Sequence, residues 1–148
     1  MIFKSTITRT TKFIFGFILL ILSITSFFAF DPENLAASAI PFIINSMAVV
    51  LLFWILLKTE YKIIDQTLFC TCGPIKKEIN IKEITKISHH SGTIVPVLLK
   101  LSLNSEGIII NYGKLNELYI SPENQDLFLL KLKEINPDFI IIAPPTNV

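Results

Sequence analysis

Few residues in this chain have the types and spacing that chemistry needs, and each such group has a plain structural alternative. Cys70 and Cys72 form a C-x-C pair in a segment of strand character. Residues i and i+2 of a strand share a face, so the two thiols point together. His89 and His90 could complete a Cys2His2 set, but structural zinc needs four converging ligands and usually C-x2-C spacing. Adjacent histidines in an extended segment face opposite ways. The expectation is therefore a buried or half-buried thiol pair and a polar histidine loop, with no metal and no cofactor. Ser88, His89, His90 and Ser91 have the types of a nucleophilic site, yet a nucleophile needs a base and an orienting group placed in space. No G-x-S-x-G, G-x-x-x-x-G-K-[ST] or G-x-G-x-x-G motif is present. No catalytic residue is assigned, and the chain is expected not to be an enzyme.

The densest basic stretch is Lys76 and Lys77 with Lys82 and Lys86. These four are candidate contacts for anionic headgroups, where each lysine near a membrane surface contributes about 1 kcal/mol. The alternative is a solvated strand face, since Glu78 and Glu83 interrupt the run.

The elements that must position these groups begin with a surplus of hydrophobic residues. The 148 residues are 51% hydrophobic and 17% charged, with a net charge of +1. The mean hydropathy is +0.61. Soluble domains carry about 25% charge. The surplus is local: residues 13–30 and 35–57 form charge-free runs of 18 and 23 residues. A membrane-spanning helix needs about 20 apolar residues. Both runs therefore predict transmembrane helices, joined by a tight connection at Asp31-Pro32-Glu33-Asn34. Asp31 is the expected cap of the second helix and Pro32 fits its first turn. Pro41 is expected to bend or reset the start of that helix. Asn45 and Ser46 are read as interhelical hydrogen-bonding positions. Neither span contains Asp, Glu, Lys or Arg, so no ion pathway is indicated.

Lys4, Arg9 and Lys12 precede the first span, and Lys58 and Lys62 follow the second. The tip carries Asp31 and Glu33 without Lys or Arg. The positive-inside rule places both termini in the cytoplasm, with Lys12, Trp54 and Lys58 at the membrane interface. A cleaved signal peptide ending near Ala37-Ser38-Ala39 is disfavoured, because the first apolar run exceeds the ~7–15 residues of a signal core.

Residues 58–148 carry ten lysines and ten acidic residues, which gives no electrostatic support for nucleic-acid binding. Their pattern is of short strands. Ile75, Ile79 and Ile81 alternate with Lys76, Glu78, Asn80 and Lys82, and Leu99, Leu101 and Leu103 with Lys100, Ser102 and Asn104. Asp65-Gln66, Gly73-Pro74, residues 104–107 and Gly113-Lys114 read as turns. Seven strands are counted, the last over 115–120. An amphipathic helix follows, with Ser121 as cap, Pro122 at its first position, and Phe128, Leu129, Leu132 and Ile135 on its apolar face. Asn136-Pro137 ends it. The apolar segment 139–142 either adds to a sheet edge or packs beside the membrane.

These stretches resemble the YyaB-like bacterial pleckstrin-homology (PH) domains that follow paired membrane spans. The resemblance lies in Tyr61-Lys62-Ile63, Leu68, Gly73-Pro74, the run Ile79-Asn80-Ile81-Lys82-Glu83-Ile84-Thr85-Lys86-Ile87, Ile120-Ser121-Pro122-Glu123-Asn124, Phe128, Leu132 and Asn136-Pro137. It implies a membrane-anchored bacterial protein: a transmembrane hairpin (1–57) and a cytoplasmic α+β PH-like domain (58–148). That domain would have about seven short antiparallel strands in a bent sheet or partial barrel, closed by one helix. The connection at Asp65-Gln66 is short and not basic, so the resemblance does not imply phosphoinositide binding. The expected location is the cytoplasmic membrane, with the lipid bilayer and a protein, or a second copy, as partners. The expected role is a non-catalytic interaction or recruitment module. The alternative is binding of a lipid headgroup or small ligand, and an enzyme or metal-binding protein is third.

Overall fold

The structure is a computed structural model, and it describes residues 1–92, 95 and 97–142. Residues 143–148, the end of the expected second domain, lie outside the described residues. The chain opens with a short strand, β1 (Ile2–Lys4), before two long helices, α1 (Arg9–Phe28) and α2 (Leu35–Leu57). Thr8 caps α1 by accepting from the Thr11 N–H. Asn34, not Asp31, caps α2, its Oδ1 accepting from the Ala37 N–H at 3.1 Å. Asp31 lies three residues before that cap, and its carboxylate does not cap the helix. Its carboxylate instead accepts from the Glu33 N–H, and its own N–H donates to Ser38 Oγ. Pro41 lies within α2.

Both helices are long and apolar enough to cross a membrane, and none of either apolar window is buried within the chain. A core helix of a soluble domain would bury one face. The helices meet through Asn45, whose amide donates to Ser26 Oγ at 2.7 Å and reaches Leu22 O and Thr25 Oγ1 at 3.2 Å. That contact satisfies a polar side chain which hydrocarbon would leave unsolvated.

The strands that follow form two sheets. The first has the order β1–β2–β3–β4, all antiparallel, with β2 (Thr59–Ile64), β3 (Thr67–Cys72) and β4 (Ile75–Asn80). The alternation read from sequence explains it: Tyr61, Ile63, Leu68, Cys70 and Ile79 are buried, with polar residues between them. A two-residue turn joins β2 to β3, where Asp65 adopts a left-handed φ of 52°, a conformation that Asp tolerates in tight hairpins. A short 3-10 turn (Ile81–Glu83) leads to β5 (Ile84–Ser91).

The second sheet has the order β6–β8–β7–β5–β9, adding β6 (Leu99–Lys100), β7 (Glu106–Tyr112), β8 (Asn116–Ile120) and β9 (Ile140–Ile142). Two pairings are parallel, β6 with β8 and β9 with β5. Residues 99–103 therefore do not form a hairpin with β7 across 104–107. After Lys100 the chain leaves the sheet, and Leu101 and Leu103 turn into the core. The segment 139–142 joins a sheet edge, with Phe139 buried beneath it.

Helix α3 (Gln125–Ile135) covers the open core between the sheets and buries Phe128, Leu129 and Leu132. Side chains of this size contribute about 1.5–3 kcal/mol each when fully buried. Its cap is Asn124, whose side chain accepts from the Leu127 N–H. Ser121 and Pro122 are thus not its cap and first turn: Ser5 and Pro122 form an isolated bridge. Asn136 ends the helix and donates to the carbonyls of Ile81 and Ile84, so one buried amide ties α3 to the 3-10 turn.

Strand β1 has no counterpart among the strands read from sequence. Phe3 pairs in register with Tyr61 and stacks edge-on against Phe128 with ring centroids 5.1 Å apart. The segment before the hairpin is therefore part of the sheet and core that follow it.

Candidate functional site

The most organised polar arrangement lies where the hairpin meets the sheets. Four elements converge there: the chain entering α1, β2, the bend after β6, and the end of β8. Tyr61 projects inward from β2 and donates its hydroxyl to Leu101 O at 2.6 Å, while accepting from the Ser121 N–H at 3.2 Å. Ser121 Oγ lies 2.9 Å from Ser5 Oγ and accepts from Ser102 Oγ at 2.7 Å. Ser5 Oγ also accepts from the Leu103 N–H. Ser5, Tyr61 and Ser121 are buried. Small hydroxyl side chains suit this place because each can donate and accept within a narrow seam. Burial pushes the Tyr61 phenol up to about 12, against partial compensation from its hydrogen bonds to Ser121 and Ser5. It remains a neutral donor.

Beside this network a groove of about 380 Å³ opens between the first turns of α1 and the 100–105 segment. Thr11 bridges the two walls by donating its hydroxyl to Leu103 O. Ile14, Phe15 and Ile55 form the apolar side, and Lys100, Ser102, Asn104 and Ser105 the polar side. Asn104 is 5% exposed, and its Oδ1 has no hydrogen-bond partner among the described residues. A buried acceptor without a donor costs about 1–3 kcal/mol. Tyr119 Oη is likewise without a partner there, and burial pushes that phenol up to about 12, reinforced by Glu106.

The residues singled out in the sequence are spread over several faces. Lys76 and Lys77 are successive residues of β4 and project to opposite faces. Lys76 is exposed in register with Thr71, whereas Lys77 aligns with buried Cys70 and lies over the Tyr112 ring at 5.9 Å. Lys82 is exposed on the 3-10 turn, and Lys86 is exposed on β5 beside Asn111. Lys12 in the first turn of α1, and Trp54 and Lys58 at the end of α2, mark the same end of the hairpin. The Lys58 N–H donates to Trp54 O.

Cys70 is buried and Cys72 half-buried on β3, while His89 and His90 lie on β5 of the other sheet. Among the described residues no three of His, Cys, Asp and Glu gather as metal ligands. Burial alone pushes the Cys70 thiol up to about 12, the opposite of what a reactive cysteine needs.

The seam residues were not legible as a site. The only local signal was a run of Ser and Asn around 102–105, which reads equally well as a turn.

No curated protein and no solved structure matches the chain. A family model described as the bacterial PH domain matches residues 59–136. That span runs from β2 through the end of α3 and covers more than half of the 148 residues. The two-sheet core covered by a C-terminal helix agrees with it, and the chain belongs to the bacterial PH domain family.

Proposed function

We propose that this protein is a two-span membrane protein of the bacterial cytoplasmic membrane whose PH-like domain holds a protein partner, or a second copy, at the cytoplasmic face. The proposed division is an anchor over 1–57 and a domain over 58–148, with β1 returning to the domain's sheet. The β1–β2 pairing supports this topology, because it brings the chain before α1 and the chain after α2 to one side. Lys4, Arg9, Lys12, Lys58 and Lys62 make that side the positive one. PH domains are in general interaction modules.

The observation that carries the interaction reading is the outer edge of β4. Its six residues pair with β3 on one side only among the described residues, and Ile75, Lys76, Glu78 and Asn80 are exposed. Such an edge offers main-chain donors and acceptors to an added strand. A photoreactive residue in place of Lys76 or Glu78, in the full chain in native membranes, should give a discrete protein adduct. Adducts to lipid alone would overturn the reading.

A second reading, headgroup contact by Lys76, Lys77, Lys82 and Lys86, is favoured by the exposure of Lys76, Lys82 and Lys86. Binding of the full chain's domain face to added anionic vesicles should then fall as salt rises.

A further inference from the structure

We propose that the groove between the base of α1 and the 100–105 segment seats one anionic phospholipid headgroup drawn from the surrounding bilayer. The site is separate from the lysines of β4 and β5 and from the β4 edge.

Three features point to it. The first is position. Arg9 and Lys12 open α1, and the apolar run begins at Phe13, so the groove sits at the level where headgroups meet acyl chains. Its walls divide in the same sense. Phe15 and Ile55 face it from the helices, while Lys100 and Asn104 face it from the domain. An amphiphile lying there has an apolar wall for the start of its chains and a polar wall for its head.

The second is charge. Lys100 is exposed at the rim, and no acidic residue is among the described residues that line the groove. The N-terminal end of the 20-residue helix α1 also faces it through Thr8, Thr10 and Thr11. Its dipole favours a phosphate at that end.

The third is the orphaned acceptor. Asn104 lines the groove, is almost wholly buried, and its Oδ1 lacks a donor among the described residues. Its backbone N–H is held by Ser102, whose hydroxyl oxygen accepts from it at 3.1 Å. The side-chain amide is therefore left for another partner. In the proposed site a headgroup hydroxyl is the donor to that oxygen, and the phosphate sits against Lys100 and the α1 end. A glycerol headgroup carries both groups. Free glycerol phosphate has the same polar chemistry, but it would leave the apolar wall bare.

The test uses the full chain in phosphatidylcholine nanodiscs doped with phosphatidylglycerol, read by native mass spectrometry. One phosphatidylglycerol should stay bound per chain after the annular lipids are stripped. Lys100→Gln should lower its retention about fivefold, and Asn104→Ala by a similar factor. Lys114→Gln, away from the groove, should leave it unchanged. Lys100 is exposed, so its variant keeps the test decisive if Asn104→Ala unfolds. Equal retention in Lys100→Gln and wild type would overturn the proposal. So would equal retention of phosphatidylcholine, or displacement of the lipid by an equal concentration of glycerol 3-phosphate. The site presupposes insertion of the hairpin. Failure to enter nanodiscs at all would refute both the site and the membrane topology, whereas insertion without selective retention would refute the site alone.

Discussion

Ser5 Oγ and Ser121 Oγ lie 2.9 Å apart in a buried hydrogen bond, although 116 residues separate them in the chain. One precedes both long helices and the other follows the last strand of the β7–β8 hairpin. Their contact, with Tyr61 and Ser102 around it, fastens the base of the hairpin to the PH-like domain. The network exists because four separate chain segments supply hydroxyls and backbone groups to one buried seam.

Tyr61→Phe should destabilise the domain by about 1–3 kcal/mol. It removes the hydroxyl that donates to Leu101 O and accepts from the Ser121 N–H, leaving both backbone groups buried. Ser5→Ala should act in the same direction, and the double variant should lose less than the sum, since the residues share one network. Thermal denaturation of the full chain in detergent measures this; strictly additive losses would sink the network.

Gly73→Ala should lower stability for two reasons. Gly73 has a φ of +55°, and an added Cβ would lie 2.7 Å from Ile55 Cγ1. The left-handed conformation alone costs a non-glycine residue about 1–2 kcal/mol. Gly73→Asn tolerates that conformation better but keeps the clash, so Ile55→Ala should recover part of the loss in either background. No recovery in melting temperature would show that the β3–β4 turn does not press on the end of α2.

Gly107→Ala should be more damaging than Gly73→Ala. A Cβ there would fall 2.3 Å from Ile120 O and 2.9 Å from Tyr119 Oη, and backbone cannot step aside as a side chain can. Loss of soluble, folded material on size exclusion, or a melting temperature well below that of Gly73→Ala, is the expected result. A wild-type melt would contradict the close approach of β7 and β8.

Stability should decline as the medium turns alkaline. The Cys70 thiol and the Tyr61 phenol have ordinary values of 9.0 and 10.0, and burial pushes both up to about 12 in the folded chain. The unfolded chain therefore loses these protons first, and stability falls as pH rises. The contribution is fully present below pH 9.0 and is lost progressively up to about 12. Cys70→Ala should flatten the early part of this decline, which melting curves across that range would reveal. An unchanged slope would mean that the thiol is not buried.

Asn45→Leu should loosen the hairpin by about 1 kcal/mol. It removes the one side chain that bonds Ser26, Thr25 and Leu22 across the two helices among the described residues. Steric trapping in nanodiscs measures that difference; a tighter hairpin would show that packing rather than hydrogen bonding holds the pair.

The long helices and strands β2 to β4 were legible because composition and period act locally. Residues 13–30 are apolar whatever they touch, and Tyr61 and Ile63 alternate with Lys62 wherever β2 is placed. Strand β1 was not legible, since three residues become a strand only when β2 lies beside them. Ser121 was misread for the same reason: Ser-Pro-Glu is a strong local helix start, but Ser5, Tyr61 and Ser102 claim the serine. The period-two pattern at 99–103 held for burial and failed for pairing. Leu101 and Leu103 do turn inward, yet the strand they suggested stops at Lys100 and runs parallel to β8. The polar seam could not be read at all, because its members are drawn from positions as distant as Ser5 and Ser121.

Strand β1 gives the fold an order of assembly. Ile2–Lys4 is synthesised before both helices, but its partner Thr59–Ile64 emerges only after them. In the proposed topology the sheet can close only if the hairpin has entered the bilayer and returned. A chain whose second helix fails to cross back would strand β1 and β2 on opposite sides. It would leave β2 with a bare edge, and Phe128 without the ring of Phe3. In that topology, only chains whose two helices return to one side would complete the four-stranded sheet.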